Sequence, residues 1–161
     1  MIDPDRIDCE ILRQLRNNAR LSNKELAGRI GLSASSTLVR VRSLQSAGLL
    51  RGYHADIEPK CLGVGLQAMI SIQLRRHSEK DVTAFREHAL ALPEVVRLYH
   101  VAGANDFLIH VWVRDSEHLR ELAMRSFTSR REVGHMETGL IFEHAQSVEL
   151  PNYLVFRDDD E

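Results

Sequence analysis

The chain carries only two cysteines, Cys9 and Cys61. Two are too few for a disulfide framework and fit a reducing compartment; both read as free, partly buried thiols. Long apolar runs are missing as well. The most apolar stretch, Leu66–Leu74, is broken by Gln67, Ser71 and Gln73 and is too short to cross a bilayer. Asp3, Pro4 and Asp5 near the start are the wrong chemistry for a secretory leader. A cytoplasmic chain without a membrane partner is therefore expected. There is no P-loop, nucleophile elbow or Rossmann glycine pattern. The eight histidines (54, 77, 88, 100, 110, 118, 135 and 144) show no metal-ligand spacing, and no cysteine accompanies them. Only His100 and His110, on strands expected to pair, are candidates to approach one another. No metal or cofactor is expected, and no enzymatic activity.

Charge is the next scarcity. The net formal charge is only −2 over 161 residues, which does not suggest a general nucleic-acid binder. The two parts of the chain differ, however. Residues 1–60 hold ten Lys or Arg against seven Asp or Glu, and residues 61–161 hold eleven against sixteen. A basic first part joined to an acidic second part suits a DNA reader attached to another module. Part of the acidity sits in a terminal run, Asp158-Asp159-Asp160-Glu161, read as a disordered tail.

The first part reads as three helices. Asp3 is placed to cap the first, with Pro4 at its opening position and Ile7, Ile11, Leu12 and Leu15 at helical spacing. Ser22 and Glu25 form a capping box for a second helix that buries Leu26, Ala27 and Ile30 and stops at Gly31. Ser33 caps a third, whose apolar stripe is Leu38, Val41 and Leu44 and whose end is Gly48. Two short helices joined by a glycine-containing turn are the signature of a helix-turn-helix, and the start of its second helix enters the DNA major groove. That start carries Ser35, Ser36 and Thr37 after Ser33, with Arg40 and Arg42 following. Short hydroxyls permit close approach to bases and phosphates, and arginines pair with phosphate or guanine. Arg40 is the favoured contact; Ser33 also reads as a simple cap. Alternation at Leu49, Arg51, Tyr53, Ala55 and Ile57 predicts a strand, either a β wing or a tether, with Arg51 near the DNA backbone. An unspecialised three-helix bundle is the alternative.

A Pro- and Gly-containing linker then leads to a regular series. A strand over Leu66–Leu74 is followed by a helix capped at Ser78 and stopped at Pro93. Strands at Val95–Val101 and Phe107–Val113 flank a turn at Gly103-Ala104-Asn105-Asp106. A helix capped by Asp115 and a last strand over Met136–Ala145 complete it. The order βαββαβ is the ferredoxin-like arrangement. The fold class is α+β: an N-terminal winged helix-turn-helix (1–52), a linker strand and loop (53–65), a βαββαβ sensing and oligomerisation domain (66–150) and an acidic tail (151–161). Both helices cover one face of the sheet. The other face carries Met69 and Tyr99 and must be buried, most simply against a second copy. A doubled helix-turn-helix reads two half-sites together.

Leu21–Tyr53, "LSNKELAGRIGLSASSTLVRVRSLQSAGLLRGY", together with Val101–Val111, "VAGANDFLIHV", and Met136–His144, "METGLIFEH", resembles the Lrp/AsnC family of leucine-responsive and asparagine-operon regulators over about residues 3–150. The resemblance implies homodimers that commonly build octamers, double-stranded DNA as partner, and a small-molecule effector, commonly an amino acid, bound in the second domain between dimers. It places effector contacts at His100, Gly103, Asn105, Asp106, Thr138, Gly139 and Ile141. Here Gly103 leaves backbone N–H groups open to a carboxylate and Asp106 offers an anion to an α-ammonium group; a turn residue bonding its own backbone is the plainer role for Asp106. The chain departs from the family pattern at Ala104 and Asn105, where an acidic residue and an aromatic are usual, and at Val39, where a charge is usual. The same two-domain fold is shared by haem-precursor (siroheme-type) decarboxylases, which stand as the alternative function.

Overall fold

The computed structural model describes residues 3–147 and 149–154. The acidic run at 158–161 lies outside them. The chain divides into two compact units: one runs through Asp56 and takes in the described residues from Ala145 onward, and the other spans Ile57–His144.

The first unit is a trihelical bundle of α1 (Arg6–Asn17), α2 (Asn23–Ile30) and α3 (Ala34–Ser46). The α1 cap is Asp5 rather than Asp3. Its carboxylate accepts the Asp8 N–H (2.7 Å) while Asp8 reaches back to the Asp5 N–H, a reciprocal box that Asp3 cannot make. Ser22 and Glu25 close the same device at α2, and Gly31 ends that helix in the left-handed region, φ 70°. Ile11, Leu15, Leu26, Val41 and Leu44 form the core, and Ala27, also buried, keeps α2 close to its neighbours. No strand forms over residues 49–57; the stretch is irregular, without a partner strand to take its backbone hydrogen bonds.

In the second unit a 3-10 turn (Pro59–Leu62) precedes β1 (Leu66–Leu74), α4 (Glu79–Leu90), β2 (Val95–His100), β3 (Phe107–Val113), α5 (Ser116–Leu122) and β4 (Val133–Leu140). The sheet order is β2-β3-β1-β4, with every neighbouring pair antiparallel. This is the ferredoxin-like topology. A π-helical turn, Ala123–Thr128, prolongs α5 and brings Phe127 under the sheet. Alternation decides the faces. Ala68, Ile70, Ile72 and Leu74 of β1 and Phe107, Ile109, Val111 and Val113 of β3 point to the helices, where Phe85 and Phe127 pack against them. The Phe85 and Phe107 rings lie 4.9 Å apart. β4 starts three residues earlier than expected and ends at Leu140, because its ladder with β1 closes at Ala68–Leu140; one further bond, Ile141 N–H to the Gln67 carbonyl (2.9 Å), follows.

Among the described residues no helix is long and apolar enough to cross a membrane, and no group of three or more His, Cys, Asp or Glu is placed to hold a metal ion. His100 pairs with Phe107 and His110 with Arg97, so the two histidines stand on opposite faces of the sheet and do not meet.

Candidate nucleic-acid and effector sites

α3 presents two unlike arcs. At 100° per residue, the buried Thr37, Val41 and Leu44 define its inner side. The opposite side is a row of exposed residues: Ser35, Val39, Arg42, Ser43 and Ser46, with Ser36 beside them. Ser33 caps the helix, accepting the Ser36 N–H at 3.1 Å, and its hydroxyl bonds those of Ser36 (2.8 Å) and Ser35 (3.0 Å). The first turn is thus a hydroxyl cluster at the positive end of the helix.

Two of the expected DNA contacts are placed elsewhere. Thr37 is fully buried, 0% exposed, and its hydroxyl donates to the Ser33 carbonyl at 2.9 Å, so it packs in the core and has no surface to offer. Arg40 lies on the flank of α3 facing α1. Its guanidinium donates to Asp5 Oδ2 (2.7 Å) and Asp8 Oδ1 (2.8 Å), tying α3 to the N-terminus of α1. The two carboxylates raise the Arg40 pKa. Burial pushes the Asp5 carboxyl up, but the Asp8 N–H and the Arg40 guanidinium outweigh it and hold Asp5 below its ordinary value. Arg42 is exposed on the outward row, and Arg51 is exposed in the irregular stretch after α3. Ser43 and Ser46 were not singled out from the sequence; stepping i, i+4, i+8, i+11 from Ser35 finds them.

The expected effector residues fall into two groups. His100 ends β2, its ring stacked on Phe107 at 4.8 Å on the helix side of the sheet. The turn follows, exposed at Gly103 (φ 130°) and half-buried at Asn105. Thr138, Gly139 and Ile141 lie along β4 and just past it, with Thr138 opposite Ile70 and Gly139 opposite Met69. β2 and β4 are the two edges of the sheet, three strand spacings apart. Within one chain His100 and Thr138 are therefore separated by at least about 14 Å.

Asp106 turns inward. Its Oδ2 accepts the Leu74 N–H at 2.7 Å, and its Oδ1 pairs with His77 Nδ1 at 2.8 Å. Its own N–H donates to the Ile72 carbonyl at 2.8 Å. The carboxylate thus pins the turn to the end of β1, bonding a neighbouring strand rather than its own backbone. His77, two-thirds exposed at 68%, is a partner that nothing in the sequence marked, because the β1–α4 loop meets the turn only in the fold.

The outer face of the sheet is polar at its centre and half-apolar around it. Gln67 Oε1 meets His110 Nε2 (2.9 Å) and accepts from Trp112 Nε1 (3.1 Å), and the His144 ring lies 6.1 Å from His110. Burial, then the nearby His144 and Arg97, hold the His110 pKa below its ordinary value. Met69, opposite His110, and the facing pair Leu108 and Tyr99 on β3 and β2 flank this cluster.

Two family models match the chain: a winged helix-turn-helix DNA-binding model over residues 4–51 and the Lrp/AsnC ligand binding domain over residues 67–147. The chain is 40% identical over 142 residues to the HTH-type transcriptional regulator AldR of Mycolicibacterium smegmatis, covering 88% of this chain and 83% of that one. It is 32% identical to the leucine-responsive regulatory protein of Escherichia coli, covering 89% and 88%. Among solved structures it superposes on a Neisseria meningitidis transcriptional regulator in complex with L-Met with a TM-score of 0.84, at 28% identity and 92% and 97% coverage. Escherichia coli AsnC gives a TM-score of 0.79 at 29% identity, with 91% and 97% coverage. These relatives are named as regulators rather than enzymes, which removes the ground for a decarboxylase reading. A DNA-binding first unit and a ligand-binding second unit, each matched over nearly its full extent, make the chain a member of the Lrp/AsnC family of transcriptional regulators.

Proposed function

We propose that this regulator responds to an amino acid bound between copies of its second unit, and that the response changes how two outward rows of α3 engage DNA. The observation that carries the reading is the separation of the expected effector residues to opposite edges of one sheet. His100 with the turn at Gly103–Asn105 supplies one half, and Thr138, Gly139 and Ile141 supply the other. A second copy offering its β4 edge to the first copy's turn completes the set. Pairing through the outer sheet face buries Met69, Leu108 and Tyr99, which a monomer leaves partly in water. An α-amino acid carries an anion and a cation close together; open backbone N–H groups about Gly103 suit the carboxylate. The ammonium group then competes with His77 for Asp106 Oδ1 while Oδ2 stays on Leu74. The Neisseria relative's complex with L-Met supports this class of effector.

On the DNA side, Ser35, Ser36 and Arg42 make the contacts, Ser33 orders the first turn, Arg51 reaches the phosphate backbone, and Arg40 holds α3 against α1. Coupling between effector and DNA is then a difference in effector affinity between two arrangements of the assembly. The test is a thermal-shift screen of the twenty amino acids on the full chain, with sedimentation at each hit. A ligand at a hundred times its Kd raises stability by about 2.7 kcal/mol. No shift with any amino acid, or a sheet face that stays monomeric at micromolar concentration, overturns the reading.

A further inference from the structure

Val39 is the one apolar side chain on the outward row of α3, and it is 67% exposed. It stands directly opposite the buried Thr37–Val41–Leu44 side, one turn after Ser35 and one turn before Arg42 and Ser43. Every other member of that row is a hydroxyl or a guanidinium. A β-branched residue here gains nothing from packing and is a weaker helix former than alanine. An isolated exposed valine on a random surface needs no account, but this one lies at the centre of a row of hydroxyls and a guanidinium.

We propose that Val39 reads thymine through its 5-methyl group. The inference rests on α3 being the groove-entering helix. In the major groove the thymine methyl is the one sizeable apolar group a base pair presents; the other groups read there are chiefly donors and acceptors. A valine pressed against those would strip their water and return no hydrogen bond. Against a methyl it buries apolar surface, and its stiff side chain loses little freedom in doing so. Ser35 and Ser36 are short enough to let the helix approach to that distance. Val39 therefore sets a thymine preference at one position of each half-site, flanked by positions read by Arg42 and the serines.

The experiment selects preferred duplexes from a random library with the full-length protein, then replaces each thymine of the selected site in turn by deoxyuracil, which differs only by the methyl. One position per half-site is expected to lose about fourfold in affinity, the worth of one buried methyl. Val39→Ser, which alters an exposed side chain and leaves the core intact, is expected to bind thymine and uracil duplexes equally at that position. Arg42→Ala is expected to bind both more weakly while keeping the fourfold preference. If no thymine methyl matters to the wild type, or Val39→Ser keeps the discrimination, the assignment to Val39 is overturned while α3 remains the reader. If Val39→Ser and Arg42→Ala both bind the selected duplex as the wild type does, the groove role of α3 falls and this inference falls with it.

Discussion

Replacing Arg40 by alanine separates a structural arginine from a DNA contact. In the wild type one guanidinium nitrogen bridges Asp5 and Asp8 at 2.7 and 2.8 Å, with Asp8 largely shielded (12% exposed) and Asp5 more open (39%). A fully exposed ion pair is worth about 0–1 kcal/mol, and a hydrogen bond to a charged group about 1.5–3. The intermediate burial places the loss in Arg40→Ala at about 1–2 kcal/mol, small enough for the variant to fold. For a unit of this size that is a fall in Tm of about 5–15 °C. The effect also has a sign with pH. Asp5 titrates below its ordinary 3.8 in the folded chain. Its contribution is complete above that value and disappears as pH falls through the lower folded one. The gap between wild type and Arg40→Ala is therefore full at pH 7 and narrows below about pH 4. Denaturant titrations at pH 7 and pH 3.5, with Asp5→Asn, which still caps, as the second arm of a double-mutant cycle, measure the coupling. Arg42→Ala, by contrast, weakens DNA binding with no change in Tm. An Arg40→Ala variant of wild-type stability that loses DNA affinity would refute the pairing as Arg40's role.

Three further outcomes follow from the second unit. Asp106→Ala leaves the buried Leu74 N–H without an acceptor and lowers stability by about 1–3 kcal/mol by urea titration, whereas Asp106→Asn keeps an acceptor and recovers most of it; equal losses would count against the bond to Leu74. His110 titrates below its usual 6.5, so its neutral form stabilises the fold above that value and the benefit is lost as pH falls through the folded pKa. Arg97 on β2, Gln67 and Met69 on β1 and His144 beyond β4 face it, and His110→Gln, which retains a donor for Gln67, is expected to lose less stability between pH 7.5 and pH 5 than the wild type. Gly65→Ala places a Cβ 2.1 Å from the Arg114 carbonyl oxygen, a backbone atom that cannot swing away, and is expected to lower the urea midpoint by the equivalent of about 1–3 kcal/mol; an unchanged midpoint would mean the 65–114 approach is loose.

Local chemistry was legible in the sequence and tertiary partnership was not. Ser22, Gly31, Ser33 and Ser78 cap or stop helices where they were expected to, because each device closes within four residues. The α1 cap was misplaced by two residues, since two aspartates stood in line for it and only Asp5 has an acidic partner three positions on. Alternation in Leu66–Leu74 became a strand because β3 and β4 flank it. The same alternation over 49–57 did not, for want of a partner. Ile141 and Phe142 extended the apolar pattern past the end of the ladder and drew the predicted last strand too far. The pairing of Arg40 with Asp5 and Asp8 is not legible from spacing, because an arginine on a short recognition helix looks like a DNA contact until its angular position is counted. The bond from Leu74 to Asp106 depends on a neighbouring strand that spacing does not disclose.

The return of the described residues from Ala145 onward to the first unit has a covalent consequence. Glu149, Leu150 and Asn152 line one wall of a cavity of about 470 Å³ whose other wall is Cys9, Leu12 and Arg16 of α1. In sequence terms the ligand-binding unit is an insert within the reader, spliced in at one junction and out at another. A fragment ending at Asp56 is thus not the whole reader, since one flank of α1 has lost its cover. Melting of the insert would leave the reader closing a far longer loop, an entropic link between the two stabilities that needs no direct contact.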